Sequence, residues 1–152
     1  PEVLPQPAAL APLLEEAVGM FGVTHRDIHW SLEMDPSLPD IPLDLEAVRR
    51  VFLNLLTNAA EALEGRGDGR VEVRARHLPT RGVVEMRFAD NGPGFTPEER
   101  SRMFEPYYSR KKTGTGLGLT IVRSIVSDHH GQVRVEQNLP QGSIFIVELP
   151  DC

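Results

Sequence analysis

The sequence predicts an α+β fold: a two-layer α/β sandwich with a mixed, mostly antiparallel sheet covered on one face by about three helices. Three observations carry that expectation. Strand-like alternation comes in two adjacent pairs, 70–78 with 83–89 and 132–137 with 143–149, each joined by a short turn, as in hairpins rather than in βαβ units. Apolar residues recur at helical spacing in three separate stretches. Residues 90–118 hold no long periodic element but five of the 13 glycines. A stretch of that length with little regular structure inside a compact domain is usually functional or disordered.

Taken in order, residues 1–12 hold Pro1, Pro5, Pro7 and Pro12 and read as an N-terminal linker, extended rather than helical, leading into a domain over 13–152. Leu13, Leu14, Ala17, Val18 and Phe21 mark a short amphipathic helix that Gly22 ends. Thr24 to Leu32 alternates weakly through Ile28 and Trp30 and reads as a strand, and Pro36, Pro39 and Pro42 mark a loop with at most a short extended piece. Asp44 caps a strong helix to about Leu63, with Leu45, Val48, Phe52, Leu55, Leu56, Ala59 and Leu63 spaced by threes and fours. Gly65, Gly67, Asp68 and Gly69 stop it. In the hairpin that follows, Val71, Val73 and Ala75 point one way and Glu72, Arg74 and Arg76 the other. Thr96, with Glu99 three residues later, forms a capping box for a short helix from Pro97 to about Met103. Leu119 to His129 reads as a helix that is apolar almost all round and therefore buried. His129 and His130 close it before Gly131, where an imidazolium favours the helix dipole.

Composition narrows the function classes. A chain of 152 residues is one domain, long enough to bury a core without disulfides or metal staples. Its 40% hydrophobic and 25% charged residues are ordinary for a globular protein. No apolar run approaches the ~18 residues of a membrane span, and the given residues show no signal-peptide pattern. A cytoplasmic location is therefore expected, whether or not the full-length protein is membrane-anchored. One cysteine, Cys152, excludes an internal disulfide framework and most zinc motifs. The first residue is Pro1, not Met, which suggests a piece of a longer protein. The net charge of −6 disfavours a general polyanion-binding surface, so no nucleic-acid partner is expected. One focused anion site is still allowed: the only two lysines, Lys111 and Lys112, are adjacent.

Four short constellations carry chemistry. On the helix over 44–63, Asn54 and Asn58 lie about 40° apart on the face opposite the apolar stripe, joined by Arg50 and Glu61. Asparagine is roughly 0.5 kcal/mol worse than alanine in a helix, so two of them one turn apart form either a solvated face or a pair of neutral oxygen ligands suited to Mg²⁺. Next, Asp90-Asn91-Gly92-Pro93-Gly94 follows a strand. It is either ordinary turn chemistry or a buried carboxylate, placed to accept from an exocyclic amine such as that of adenine, beside glycines that let a ligand approach. Third, Gly114-Thr115-Gly116-Leu117-Gly118-Leu119 precedes a helix, where free backbone N–H groups and the dipole bind phosphate. Its spacing matches neither the Rossmann nor the Walker pattern. Fourth, Phe104, Tyr107 and Tyr108 sit inside the glycine-rich segment, either pinning it to the body or forming an exposed gripping surface for a partner. No metal–histidine spacing and no G-x-S-x-G nucleophile turn are present.

Together and in this order, these elements resemble the catalytic and ATP-binding domain of bacterial sensor histidine kinases, within the Bergerat-fold group that includes gyrase, heat-shock protein 90 and the mismatch-repair ATPases. The N-box appears as NLLTNAAEAL (54–63), the G1 box as DNGPG (90–94), the F box as FEPYYS (104–109) and the G2 box as GTGLGL (114–119). The match spans about 43–149, with wording similar to sensors of the nitrogen-regulation type. The resemblance implies ATP and Mg²⁺ as ligands. Asn58 would coordinate the metal, with Asn54 beside the phosphates and Glu61 where some sensor kinases carry a lysine. Asp90 would read the adenine amine, with Gly92, Gly94 and Phe95 beside the base. Thr115, Gly116, Leu117, Gly118 and Leu119 would cradle phosphates, and Lys111 or Lys112 would approach the γ-phosphate. Residues from about 92 to 115 would form an ATP lid, in which Phe104, Tyr107 and Tyr108 dock a partner.

The gyrase-like relatives carry a water-activating glutamate at the place of Asn54, so the resemblance disfavours hydrolysis and favours phosphoryl transfer to a protein. None of the five histidines has the setting of the family's phosphoacceptor. The expectation is a monomeric catalytic domain that phosphorylates a histidine on a separate dimerisation domain, with a response regulator as indirect partner. A non-catalytic nucleotide-binding regulatory module and a Bergerat-type serine/threonine kinase are the alternatives.

Overall fold

The computed structural model describes residues 2–108 and 118–152. The chain runs β1 (Gln6–Ala8), α1 (Leu10–Thr24), β2 (His29–Met34), β3 (Ile41–Leu43), α2 (Leu45–Ala62), β4 (Arg70–Leu78), β5 (Val83–Asp90), α3 (Pro97–Arg102), α4 (Gly118–Asp128), β6 (Gln132–Gln137) and β7 (Ser143–Pro150). A five-stranded sheet has the order β2-β4-β5-β7-β6, and β1 and β3 form a separate two-stranded ribbon. Only the β2–β4 pairing in the large sheet is parallel. This is the mixed, mostly antiparallel sheet expected, and both hairpins fall where alternation placed them.

One face of the sheet is apolar because alternate residues share a face. Leu32, Val73, Phe88, Phe145 and Val135 stand in register across all five strands. Helices α1, α2 and α4 cover this face, α1 against β2, α2 against β5, and α4 against β6 and β7. The Phe52 and Phe88 rings meet with centroids 5.8 Å apart between α2 and the sheet.

The N-terminal boundary differs from the sequence expectation. Gln6–Ala8 pair antiparallel with Ile41–Leu43 instead of forming an unpaired linker. Helix α1 starts at Leu10, which is buried. Pro12 is tolerated there because the first turn's N–H groups have no intrahelical acceptor. At its other end α1 continues through Gly22 to Thr24, since the buried stripe from Leu10 to Phe21 outweighs the ~1 kcal/mol that one glycine costs. The next strand is displaced to His29–Met34, and Trp30 packs on Phe21 with ring centroids 5.5 Å apart.

Helices α2 and α4 lie antiparallel, tied at two points. At one, the backbone N–H of Asp44 donates to His129 Nε2 (3.0 Å). At the other, Asn54 Nδ2 donates to the Gly118 carbonyl (3.1 Å). Two expectations are corrected here. Helix α4 is not buried all round: Val122 and Val126 are its buried residues, while Arg123, Ser124, Ser127 and Asp128 are exposed. His129 is 5% exposed, and its Nδ1 donates to the Ile125 carbonyl (2.9 Å). With one ring nitrogen on Asp44 N–H and the other on the Ile125 carbonyl, the ring ties the end of α4 to the cap of α2 rather than only closing its own helix.

Candidate functional site

Helix α2 exists because Asp44 caps it, accepting from Ala47 N–H (3.1 Å), and because its apolar stripe is buried. The same periodicity sets Arg50, Asn54, Asn58 and Glu61 on the opposite face. Asn54 and Asn58 are half-buried, while Arg50 and Glu61 are exposed. Asn54 spends its amide N–H on Gly118, the first residue of α4, and its oxygen makes no hydrogen bond among the described residues. The Asn58 side chain makes no hydrogen bond among the described residues.

Asp90 ends β5 and is 2% exposed. Its Oδ1 accepts from Gly92 N–H (2.9 Å) and, at longer range, from Ser143 N–H (3.4 Å). The Asp90 carbonyl accepts from Asn138 Nδ2 (2.9 Å). The carboxylate is thus held by backbone donors on both sides, the arrangement that orients an acceptor for a ligand. Gly92 lies on the C-terminal end of α2: a Cβ there would stand 3.2 Å from both Ala62 Cβ and the Ala62 carbonyl, and 3.0 Å from Asp90 Oδ1. Any side chain would therefore crowd the turn off the helix.

Gly94 is packed beside Gly142 and Gln137. Phe95 is buried within the core, and its carbonyl accepts from Gln137 Nε2 (2.6 Å). Thr96 and Glu99 form the reciprocal capping box at the start of α3. Phe104 is half-buried, edge-on to Phe145 at 6.3 Å, and its carbonyl accepts from Thr120 Oγ1 (3.0 Å). It is pinned to the body rather than displayed. Tyr107, in contrast, is 79% exposed, with φ at 65°. The Arg102 guanidinium sits 4.8 Å from the centre of the Tyr108 ring, a cation–π contact. Gly118 and Leu119 open α4, with Leu119 packed on the core. Lys111, Lys112, Thr115, Gly116 and Leu117 lie outside the described residues.

The structure therefore joins Asn54 to Gly118 and Asp90 to Gly92, seats Gly92 against Ala62 at the end of α2, and leaves Asn58 and exposed Glu61 on the helix between them. Sequence reasoning missed Gln137 and Asn138, on β6 and just after it, whose side chains fasten the 90–95 turn, because strand alternation marks them only as surface polar residues. It also missed Asn91. Its carboxamide accepts from Arg70 N–H (2.7 Å) and donates to the Asp68 carbonyl (2.8 Å), bolting the turn to the neighbouring loop.

Among the described residues, no group of three or more His, Cys, Asp or Glu is placed to hold a metal. No described helix is long and apolar enough to cross a membrane. Among the described residues, the carboxamide oxygens of Asn54 and Asn58 on α2 make no hydrogen bond and are donors of the kind a hard cation takes.

A family model described as histidine kinase-, DNA gyrase B-, and HSP90-like ATPase matches residues 43–152. The sensory histidine kinase/phosphatase NtrB of Rhodobacter capsulatus is 38% identical over 127 residues, 78% of this chain and 36% of that protein. The chain thus spans well under half the length of the curated relatives it matches. Among solved structures, the nucleotide-free catalytic domain of histidine kinase ThkA superposes with a TM-score of 0.86 at 28% identity, covering 98% of this chain and 97% of that one. ThkA in complex with the response regulator protein TrrA superposes at 0.81 with 26% identity, covering 97% of this chain and 42% of that one. Full-length ShkA in complex with AMPPNP does so at 0.84 with 30% identity, covering 99% of this chain and 32% of that one.

Proposed function

This chain belongs to the histidine kinase-, DNA gyrase B-, and HSP90-like ATPase family, as a catalytic domain of the sensor histidine kinase kind, and from that premise we propose that it binds Mg-ATP and passes the γ-phosphoryl group to a histidine on a separate dimerisation domain, with a response regulator downstream. The observation that carries this is Asn58. Its half-buried carboxamide makes no hydrogen bond among the described residues and so is open to a ligand. It stands one turn from Asn54, which is bonded to the start of α4.

In this arrangement Asp90 accepts from the adenine amine, and Gly92 lets the base lie against the turn. The oxygens of Asn58 and Asn54 would hold Mg²⁺. The helix start at Gly118 contributes N–H groups and the positive end of the α4 dipole. Mg²⁺ supplies charge neutralisation across the phosphates. Asn54 carries no proton-accepting carboxylate, and its amide is committed to Gly118. Nothing at that position activates water, which supports transfer over hydrolysis. A cytoplasmic site of action belongs to the same proposal. Exposed Tyr107, near pinned Phe104 and Tyr108, offers the surface on which the dimerisation domain would dock.

Titration calorimetry with Mg-ATP tests the reading. Asp90→Asn keeps the acceptor for Gly92 N–H but presents an amide to the adenine amine. It is expected to weaken binding about tenfold or more, since hydrogen bonds to charged groups contribute roughly 1.5–3 kcal/mol. Asn58→Ala is expected to remove the Mg²⁺-dependent part of the affinity. Two folded variants that bind ATP as the parent does would sink the proposal.

A further inference from the structure

The polar row on α2 does not stop at the two asparagines. Arg50 lies one turn before Asn54 and two turns before Asn58, within about 40° per step on the same face. It is exposed and makes no ion pair or side-chain hydrogen bond among the described residues. Its neighbour Arg49 is engaged with Glu16. Glu46, one turn back on the same helix, does not pair with Arg50.

The direction of the row is fixed by its two other landmarks. Ala62 touches Gly92 and so marks the Asp90 end. Asn54 touches Gly118 and so marks the level where α4 begins. Eight residues separate these levels, about 12 Å along the axis, and Arg50 comes about 6 Å further on in the same direction. A nucleotide with its base at Asp90 and its phosphates running toward Gly118 therefore points its last phosphate at Arg50. A guanidinium is the side chain best shaped to take phosphate oxygens in pairs. It is available here without breaking any contact the structure shows.

Resting on the nucleotide reading above, we propose that Arg50 binds the terminal phosphate of ATP and is a specificity-determining residue that separates ATP from ADP. ADP ends one phosphate short of it. Arg50 would then act on the triphosphate alone, whereas Asp90 and Asn58 act on both nucleotides.

Calorimetry with Mg-ATP and Mg-ADP on the parent, Arg50→Gln and Arg50→Lys decides this. The exposed position lets all three fold, and unchanged circular dichroism and melting temperature confirm it. The parent is expected to prefer ATP. Arg50→Gln is expected to lose about tenfold in ATP affinity, the size of one hydrogen bond to a charged group, with ADP affinity within about twofold of the parent. Arg50→Lys retains charge without the planar fork and is expected to fall between them. Equal losses for ATP and ADP, or no loss for either, would overturn the role of Arg50 and leave the nucleotide site standing. A parent that binds neither nucleotide would overturn both.

Discussion

At the scale of single residues, the nucleotide turn is controlled by how closely backbone atoms approach. Gly142 has φ at 126°, and a Cβ there would stand 1.9 Å from the Asp90 carbonyl oxygen. The obstacle is backbone, so no side chain is free to swing aside. Gly142→Ala is expected to lower stability by more than about 2 kcal/mol, combining a left-handed backbone penalty with the clash. It should also weaken nucleotide binding, because the displaced backbone is that of Asp90 itself. Gly65 separates the two effects: φ is 77° there, but nothing lies within 4 Å of the position a Cβ would take. Gly65→Ala is expected to cost about 1–2 kcal/mol from backbone strain alone and to leave affinity intact. Urea unfolding and calorimetry read the two quantities. Equal effects from the two substitutions would show that the clash at Asp90 is relieved elsewhere.

Between elements, the joint of α2 and α4 shows what sequence patterns reveal and what they leave out. His129 is held by Asp44 N–H and Ile125 O, and Asp44 in turn accepts from Leu4 N–H (2.9 Å). This joins the N-terminal segment, the cap of α2 and the end of α4. Replacing His129 with Leu leaves the Asp44 N–H without its acceptor at a buried ring position. The expected cost is about 1–3 kcal/mol. His129→Gln, whose amide oxygen reaches nearly as far as Nε2, should lose roughly half of that. Urea unfolding that found the Leu variant as stable as the parent would show the joint to be idle.

None of this was legible beforehand, because the contact joins residues 85 apart in the chain and periodicity reports only near neighbours. The hairpins and α2 were legible because their signal is local alternation or 3.6-residue spacing. So was the capping box of α3, which is written in four consecutive residues. β1 was not, since three residues after a proline show no alternation and earn their strand by pairing with Ile41–Leu43. The site divides in the same way. Asn54, Asn58 and Asp90 stand out as polar residues in places that disfavour them. Gln137 and Asn138 fasten the turn from across the sheet and leave no local mark.

For the molecule as a whole, the outer face of the sheet explains the unequal use of Arg over Lys. Glu85 and Glu148 are nearly buried there, Glu85 beneath Arg76 and Arg87 and Glu148 beneath Arg81 and Arg134. Planar guanidinium groups on long stems cover that face while keeping their charge near water, so the sandwich needs no second helical layer. Both ends of the chain are also fastened by carboxylates. Leu4 N–H, then Ala47 N–H, hold the Asp44 carboxyl below the ordinary aspartate range. A hydrogen bond from His77 Nε2 (3.0 Å) does the same for Asp151. A carboxyl whose folded value is depressed contributes stability that is fully present above its unfolded value, about 3.9 for aspartate, and is lost as pH falls through the lower folded value. Acid should therefore loosen the two chain ends. Thermal melts of the parent and of the Asp44→Asn, Asp151→Asn double variant measure this across the acid range. The variant should melt lower at neutral pH, and the gap between the two proteins should close as pH drops below the ordinary aspartate value. Curves that stay parallel into acid would mean that neither carboxylate's ionised form is what fastens the ends.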